Sequence, residues 1–367
     1  MNEEKVLKKL WEDLHERAEV SFNEFETTAY LLKYFEDRGF SPVKFKNIPG
    51  FYVEVGSGNP VVGLRADMDA LLQKVDGVTQ ANHSCGHDAH MTIVSGVMNR
   101  LKETKSSLNG TVRAIFQPAE ELGNGSVKVV EEGAANGLDY LYGIHLRPKV
   151  EIPYPACAPG IQHGACAFIK GKISGRDHHG ARPNEGISAI DVGSAIIQQL
   201  QQIYTPPYIS ASVKMTNFHA GTDNFNIIPG EASFGLDIRA QENDVMNEIK
   251  IKVAHIIDKL AALYNITIEI EIIDEVPAAI INESAEKILT EVLEEVLGAE
   301  NVRPRIQTSG SDDFHFYTLL RPEIKATMLA LGADLTPGLH DPDMTFNEAA
   351  LIQGVNVLTT LCRKICE

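Results

Sequence analysis

"PVVGLRA", residues 60–66, is an apolar run of strand length with an aspartate just past its end. A run this short reads as a buried strand. The segments around it decide the fold. "MTIVSGVMNRLKE" (91–103) has apolar residues at 93, 94, 97, 98 and 101, which is helical spacing. "TVRAIFQ" (111–117) is a second strand, "SVKVVEEGA" a helix, and "LDYLYGIHL" (138–146) a third strand. Upstream, helices are expected over about 4–18 and 23–38, with Gly39 ending the second. This βαβα order predicts an α/β fold, a sheet with substantial parallel content covered by helices.

The pattern changes near residue 164. "ACAFIKGKISG" (165–175) is a strand and 188–204 a helix. "YISASVKMTNFHAG" and "EASFGLDIRA" are two strands, 242–263 is a helix, and "NITIEIEIIDEVPA" (265–278) is a long alternating strand. That is β-α-β-β-α-β, a ferredoxin-like unit. The earlier style then resumes, with a helix over 283–297, a strand over 326–333 and a helix over 347–365. The expected organisation is a discontinuous larger domain, 1–164 and 279–367, with a satellite domain inserted over 165–278.

Composition narrows the function. The 367 residues carry a net charge of −17, which argues against nucleic acid and anionic membranes as partners. No apolar run is long enough to span a bilayer, and the N-terminal segment lacks the apolar centre of a signal peptide. A cytoplasmic protein is the expectation. Five cysteines, thinly spread, do not make a disulfide framework; Cys362 and Cys366 read as packing on the last helix.

In open α/β sheets ligands bind beyond the carboxyl ends of the strands. Asp67 and Asp69 follow the first strand quoted above. Glu120 and Glu121 follow the second, His145 ends the third, and His340 lies in the loop after the last. Cys85 and His87 stand just ahead of the helix that begins near Ala89. Cys85 has two functional readings, a nucleophile activated by a neighbouring histidine or a metal ligand. Carboxylates crowded round a thiolate nucleophile would repel it and raise its pKa. Thiolate, imidazole and carboxylate together suit Zn²⁺, Mn²⁺, Co²⁺ or Ni²⁺, and the metal reading is preferred.

Six motifs, "LRADMDAL", "CGHDAH", "FQPAEE", "GIHL", "HHGARP" and "GLHDPDMTFNEAAL", occur in order over nearly the whole chain. Together they resemble the metallo-amidohydrolases related to aminoacylase and carboxypeptidase G. The nearest subgroup is that of hippurate hydrolases, auxin-conjugate hydrolases and N-acyl-amino-acid deacetylases. The resemblance implies a zinc-peptidase-like catalytic domain with a ferredoxin-like satellite through which two copies pair. It implies two divalent ions held by Cys85, His87, Glu121, His145 and His340, with Glu120 as general base. Asp69 resembles a residue that orients a ligand or the base. His179 resembles a histidine that reaches a partner subunit's site, and Asn226 and Arg239 resemble residues that hold the substrate's polar groups and carboxylate. His90 is read as support or helix packing, and Asp312 and Asp313 in "GSDDF" as either near the metals or a structural turn.

The chain departs from the subgroup's pattern at "NHSC", where Met-His-Ala-Cys is usual, and at "LLQ" (71–73), where Leu-Pro-Ile is common. The expected activity is hydrolysis of the amide bond of a small N-acyl amino acid. A dipeptidase or aminopeptidase with the same two-ion centre is the alternative, and a non-catalytic binding protein on this scaffold a remote one.

Overall fold

The computed structural model describes residues 2–104 and 108–367. They form two compact units. One runs through Gln162 and resumes over Ile280–Gln307 and Asp312–Glu367; the other is His163–Ala279 with Thr308–Ser311.

A seven-stranded mixed sheet organises the first unit. Its four central strands, Thr111–Gln117, Val61–Asp67, Tyr140–Pro148 and Lys325–Leu335, are mutually parallel in that spatial order. An antiparallel strand borders them on each side, Phe51–Gly56 on one and Cys157–Ala158 on the other, with the short Val43–Lys44 beyond Phe51–Gly56 and antiparallel to it. Alternate residues of each strand enter two different cores, because successive side chains point to opposite faces. Val62, Leu64, Tyr142, Ile144, Leu329 and Leu331 join the helices Glu3–His15, His87–Glu103, Glu283–Leu297 and Ala349–Cys366. Ile115, Leu141, Ala326 and Met328 face the other way, with Val129, Phe314 and Tyr317. A sheet covered on both faces explains why these strands read as nearly continuous apolar runs.

The second unit is built on a four-stranded antiparallel sheet in the order Ala211–Ala220, Ala232–Ala240, Ala165–Ser174, Thr267–Val276. Two helices, Ala189–Leu200 and Asn243–Tyr264, pack on one face through Ile196, Val253 and Ile257 against Ile169, Phe234 and Ile238. The strand Ala232–Ala240 is buried at every second residue, the signature of a sheet with one covered face.

Several elements differ from the expectation. "FYVEVG" (51–56) is a strand, and residues 71–82 form a hairpin, Leu71–Val75 with Val78–Asn82, turning at Asp76 and Gly77. The helix expected to reach 204 stops at Leu200, ahead of two prolines at 206 and 207 that disfavour helical backbone. Cys362 and Cys366 are buried in the core of the first unit. Among the described residues no helix is long and apolar enough to cross a membrane.

Candidate metal centre

The carboxyl ends of the four parallel strands carry the polar residues singled out above. Asp67 ends one strand, with Asp69 two residues on; the Pro118–Glu121 turn follows Gln117; His145 lies within its strand; and His340 lies five residues past Leu335. Cys85 and His87 arrive from the hairpin. Between them Gly86 adopts φ +83°, a left-handed conformation that glycine takes at little steric cost, and the helix His87–Glu103 starts at once. A side chain at Gly86 would also meet Leu146 Cδ1 at 3.0 Å.

Two triads result. Cys85, His87 and His145 offer donor atoms within 4.8 Å of one another, and so do Cys85, Glu121 and His340. Cys85 belongs to both. The surroundings fix which nitrogen each buried imidazole presents. His87 Nδ1 lies 2.8 Å from the Asp69 carbonyl oxygen, which only accepts, so Nδ1 carries the proton and Nε2 the lone pair. That Nε2 is buried without a hydrogen-bond partner. His145 Nδ1 likewise donates to the Leu146 carbonyl at 2.7 Å, leaving Nε2 3.6 Å from Cys85 Sγ. Glu121 Oε1 is also buried without a hydrogen-bond partner, although His340 Nε2 stands 3.3 Å away, out of line for one. Orphaned acceptors that converge are what a cation would satisfy, and these residues fit one.

His90 lies among these groups but has nothing to offer. Its Nε2 accepts the Leu146 N–H at 3.0 Å, so its Nδ1 must donate to Asp67 Oδ1 at 2.7 Å. Asp67 in turn takes Arg65 on its other oxygen.

Electrostatics point the same way. Burial alone would lower His87, but the charges of Asp67 and Cys85 hold it well above the usual histidine range. Contact with Cys85 and then Glu121 pushes His340 up to about 10. Burial, then the charge of Glu121, raises the Cys85 thiol. Burial, then His90 and Arg147, holds His145 well below the usual range and so unprotonated. Burial, then Asp312 and Glu121, pushes Glu120 well above the usual carboxylate range. Anionic neighbours thus raise His87 and His340, and a bound cation would take the place of protons there.

The turn bearing the two glutamates is held from below. Asp69 accepts the Glu120 N–H on Oδ1 at 3.1 Å, the Glu121 N–H on Oδ2 at 3.0 Å, and the Ser21 hydroxyl at 2.6 Å. Glu24 accepts the N–H of Ala119, a residue held at φ +56°. Deeper still, the fully buried Arg65 joins Gln117, Asp67, Asp312 and Asp313, and Asp313 also takes the Ser126 N–H at 2.8 Å. Glu120, Asp312 and Asp313 have carboxylate oxygens within 4.8 Å of one another. Asp312 and Asp313 are therefore parts of a buried charge network beside Glu120.

The second unit holds the other three candidates. His179 is exposed; its Nδ1 accepts the Ala181 N–H at 3.0 Å, and its two-residue strand His178–His179 pairs with Ile227–Ile228. Asn226 is exposed, and its carbonyl accepts the Gly180 N–H at 2.7 Å. Arg239 is paired with Asp237 on its own strand, Nε to Oδ1 at 2.7 Å and Nη2 to Oδ2 at 3.2 Å, over the Phe168 ring.

Sequence reading passed over Glu24 and Arg65. The signal for Arg65 was available: an arginine inside a buried strand must find carboxylates. Glu24 gave none, because an acid beside a helix start is usually a surface residue.

Residues 63–364 match peptidase family M20/M25/M40. IAA-amino acid hydrolase ILR1-like 4 of Arabidopsis thaliana is 32% identical, covering 96% of this chain and 83% of its own. N-acetyl-L-cysteine deacetylase of Bacillus subtilis is 28% identical over 99% and 89%. Among solved structures, Bacillus subtilis YXEP protein, a dinuclear metal binding peptidase from the M20 family, superposes with a TM-score of 0.85 at 26% identity, covering 99% of this chain and 98% of that one.

Proposed function

The chain belongs to peptidase family M20/M25/M40, and from that premise we propose that it is a metal-dependent amidohydrolase that cleaves N-acyl amino acids to a carboxylate and a free amino acid. The observation that carries this reading is the pair of donor triads sharing Cys85, with the Nε2 lone pairs of His87 and His145 set in advance by carbonyl oxygens. His87 and His145 would hold one divalent ion, Glu121 and His340 the other, and Cys85 would serve both. Manganese, zinc, cobalt and nickel all suit this donor set. When bound, two such ions supply Lewis acidity, lowering the pKa of water and drawing electron density from an amide carbonyl.

The remaining chemistry belongs to side chains. Glu120 is the general base. It takes a proton from the attacking water, the C–N bond breaks, and Glu120 returns that proton to the leaving nitrogen. Asp69 keeps this cycle in register, because its two oxygens hold the backbone of Glu120 and Glu121 while its carbonyl fixes the His87 tautomer. Arg239 reads the substrate's carboxylate with the donors that Asp237 leaves free, and Asn226 holds a polar group of the substrate.

His179 stabilises the oxyanion of a partner subunit's reaction in a homodimer formed through the satellite domain. Its exposure and the two edge strands, Ala211–Ala220 and Thr267–Val276, support this. Five unpaired cysteines support a reducing, cytoplasmic setting. The names of the relatives support the substrate class.

A hydrolysis panel tests the reading. N-acetyl, N-benzoyl and indole-acetyl amino acids are assayed beside dipeptides, with each of the four metals added to chelator-treated protein. Turnover of N-acyl amino acids above dipeptides is expected; the reverse order would make the chain a dipeptidase. Mixing inactive His179→Ala and Glu120→Gln proteins should restore part of the activity, and confirmed mixed dimers that stay inactive would remove His179 from the partner's site.

A further inference from the structure

His340 differs from the other donors of the centre. Its imidazole is half exposed, and it stands on the loop that follows the last parallel strand. The loop is closed at its base by the Thr336 and Thr345 backbones, at 3.0 and 2.8 Å. At its crest His340 has φ +65°, a conformation that side chains other than glycine resist. A donor carried this way loses its aim unless the backbone on both sides is tied down.

The ties come from one place, the hairpin Leu71–Val75 with Val78–Asn82 and the residues just after it. His340 N–H donates to the Ser84 carbonyl at 2.9 Å. Gln73 Nε2 donates to the His340 carbonyl at 2.8 Å. Asn82 Nδ2 donates both to the Pro342 carbonyl and to Gln73 Oε1, each at 3.1 Å. The two amides thus brace each other across the hairpin and grip the loop at His340 and two residues beyond it. The same hairpin is flanked by Asp69 and Cys85, so one short element connects the residue that holds the glutamate turn, the shared sulfur and the loop donor.

We propose that Gln73, braced by Asn82, is a positioning residue that holds the His340 loop and so tunes the cation position made by Cys85, Glu121 and His340, leaving the His87–His145 position unaffected. This rests on the two-ion reading above.

The test is a calorimetric titration of chelator-treated protein with Mn²⁺, together with amide hydrogen exchange at His340 in the metal-free protein. One hydrogen bond is worth about threefold to tenfold. Gln73→Leu and, separately, Asn82→Ala should weaken one of two Mn²⁺ sites by about that factor, leave the other within twofold, and speed exchange at His340. In a His340→Ala background, Gln73→Leu should change Mn²⁺ affinity no further. Wild-type affinities at both sites with unchanged exchange would overturn the proposal, as would equal weakening of both. If wild-type protein takes up fewer than two ions, the two-ion reading fails, and the exchange rates alone then decide whether Gln73 and Asn82 hold the loop.

Discussion

The residues of the metal centre and those of the satellite unit are fixed in opposite ways. Around Cys85 almost every group is buried, and each orientation is dictated by a neighbour: carbonyls set His87 and His145, Asp69 sets the glutamate turn, and Arg65 ties the layer beneath. In the satellite His179 and Asn226 are exposed, and Arg239 is paired with Asp237 two residues away, over the Phe168 ring. The first region is preorganised before any substrate arrives. Under the proposed function the second would be completed by a substrate carboxylate or a second chain. Mutations should therefore cost chemistry and stability in the first region, and substrate affinity in the second.

The largest effect should come from the glutamate pair. Glu120→Gln should keep its metal yet lose about 10²- to 10⁴-fold in turnover, the usual range for a general base. Glu121→Gln should lose turnover by losing metal. Metal content measured beside rate separates them, and a metal-poor Glu120 variant beside a metal-replete Glu121 variant would reverse the roles. Next comes Arg65→Met, which strands Asp67 and the Asp312–Asp313 pair without their buried cation. Breaking such a network costs about 3–5 kcal/mol. Urea unfolding should show it, and a loss under 1 kcal/mol would mean the preorganisation does not depend on Arg65.

Glu24 gives a pH signature in the same region. Burial, then the charge of Asp69, raises its carboxyl from 4.5 to about 8. The folded protein then binds a proton that the unfolded chain has released, so stability is fully present below about pH 4.5 and is lost as pH rises towards 8. The contribution is on the order of 5 kcal/mol. Glu24→Gln, whose amide oxygen still accepts the Ala119 N–H, should flatten the melting temperature between pH 5 and 8. Parallel curves for variant and wild type would place Glu24 outside this account.

The smallest effect belongs to the satellite. Arg239→Lys should raise KM for free-acid substrates by about tenfold, because lysine cannot reproduce a forked contact. Amidated substrates should hardly change. Equal damage to both would make Arg239 a prop for Asp237 and Phe168 rather than a reader of carboxylates.

Much of this was legible in the chain itself. The α/β character showed because the central strands, buried on both faces, leave long apolar runs, and candidate donors could be singled out because most of them fall just past those strands. Short edge strands and the 71–82 hairpin were not legible, since "LLQKV" and "VTQAN" have little apolar periodicity and owe their pairing to the turn at Asp76–Gly77. The exclusion of His90 as a donor depends on one backbone N–H, that of Leu146, which no spacing rule reveals. Glu24 and Gln73 act on the backbone of distant turns, and such contacts leave no local pattern.

The central claim is that two cations share Cys85, and metal counting tests it most directly. Chelator-treated protein is reloaded with Zn²⁺ or Mn²⁺, freed of excess, and assayed for bound metal and for hydrolysis of an N-acetyl amino acid, alongside Cys85→Ser. Wild type should hold two ions per chain and regain the activity that chelation removed, while Cys85→Ser should lose affinity at both positions together. Full activity in metal-free wild type, or a Cys85→Ser protein that still binds two ions at wild-type affinity, would contradict it.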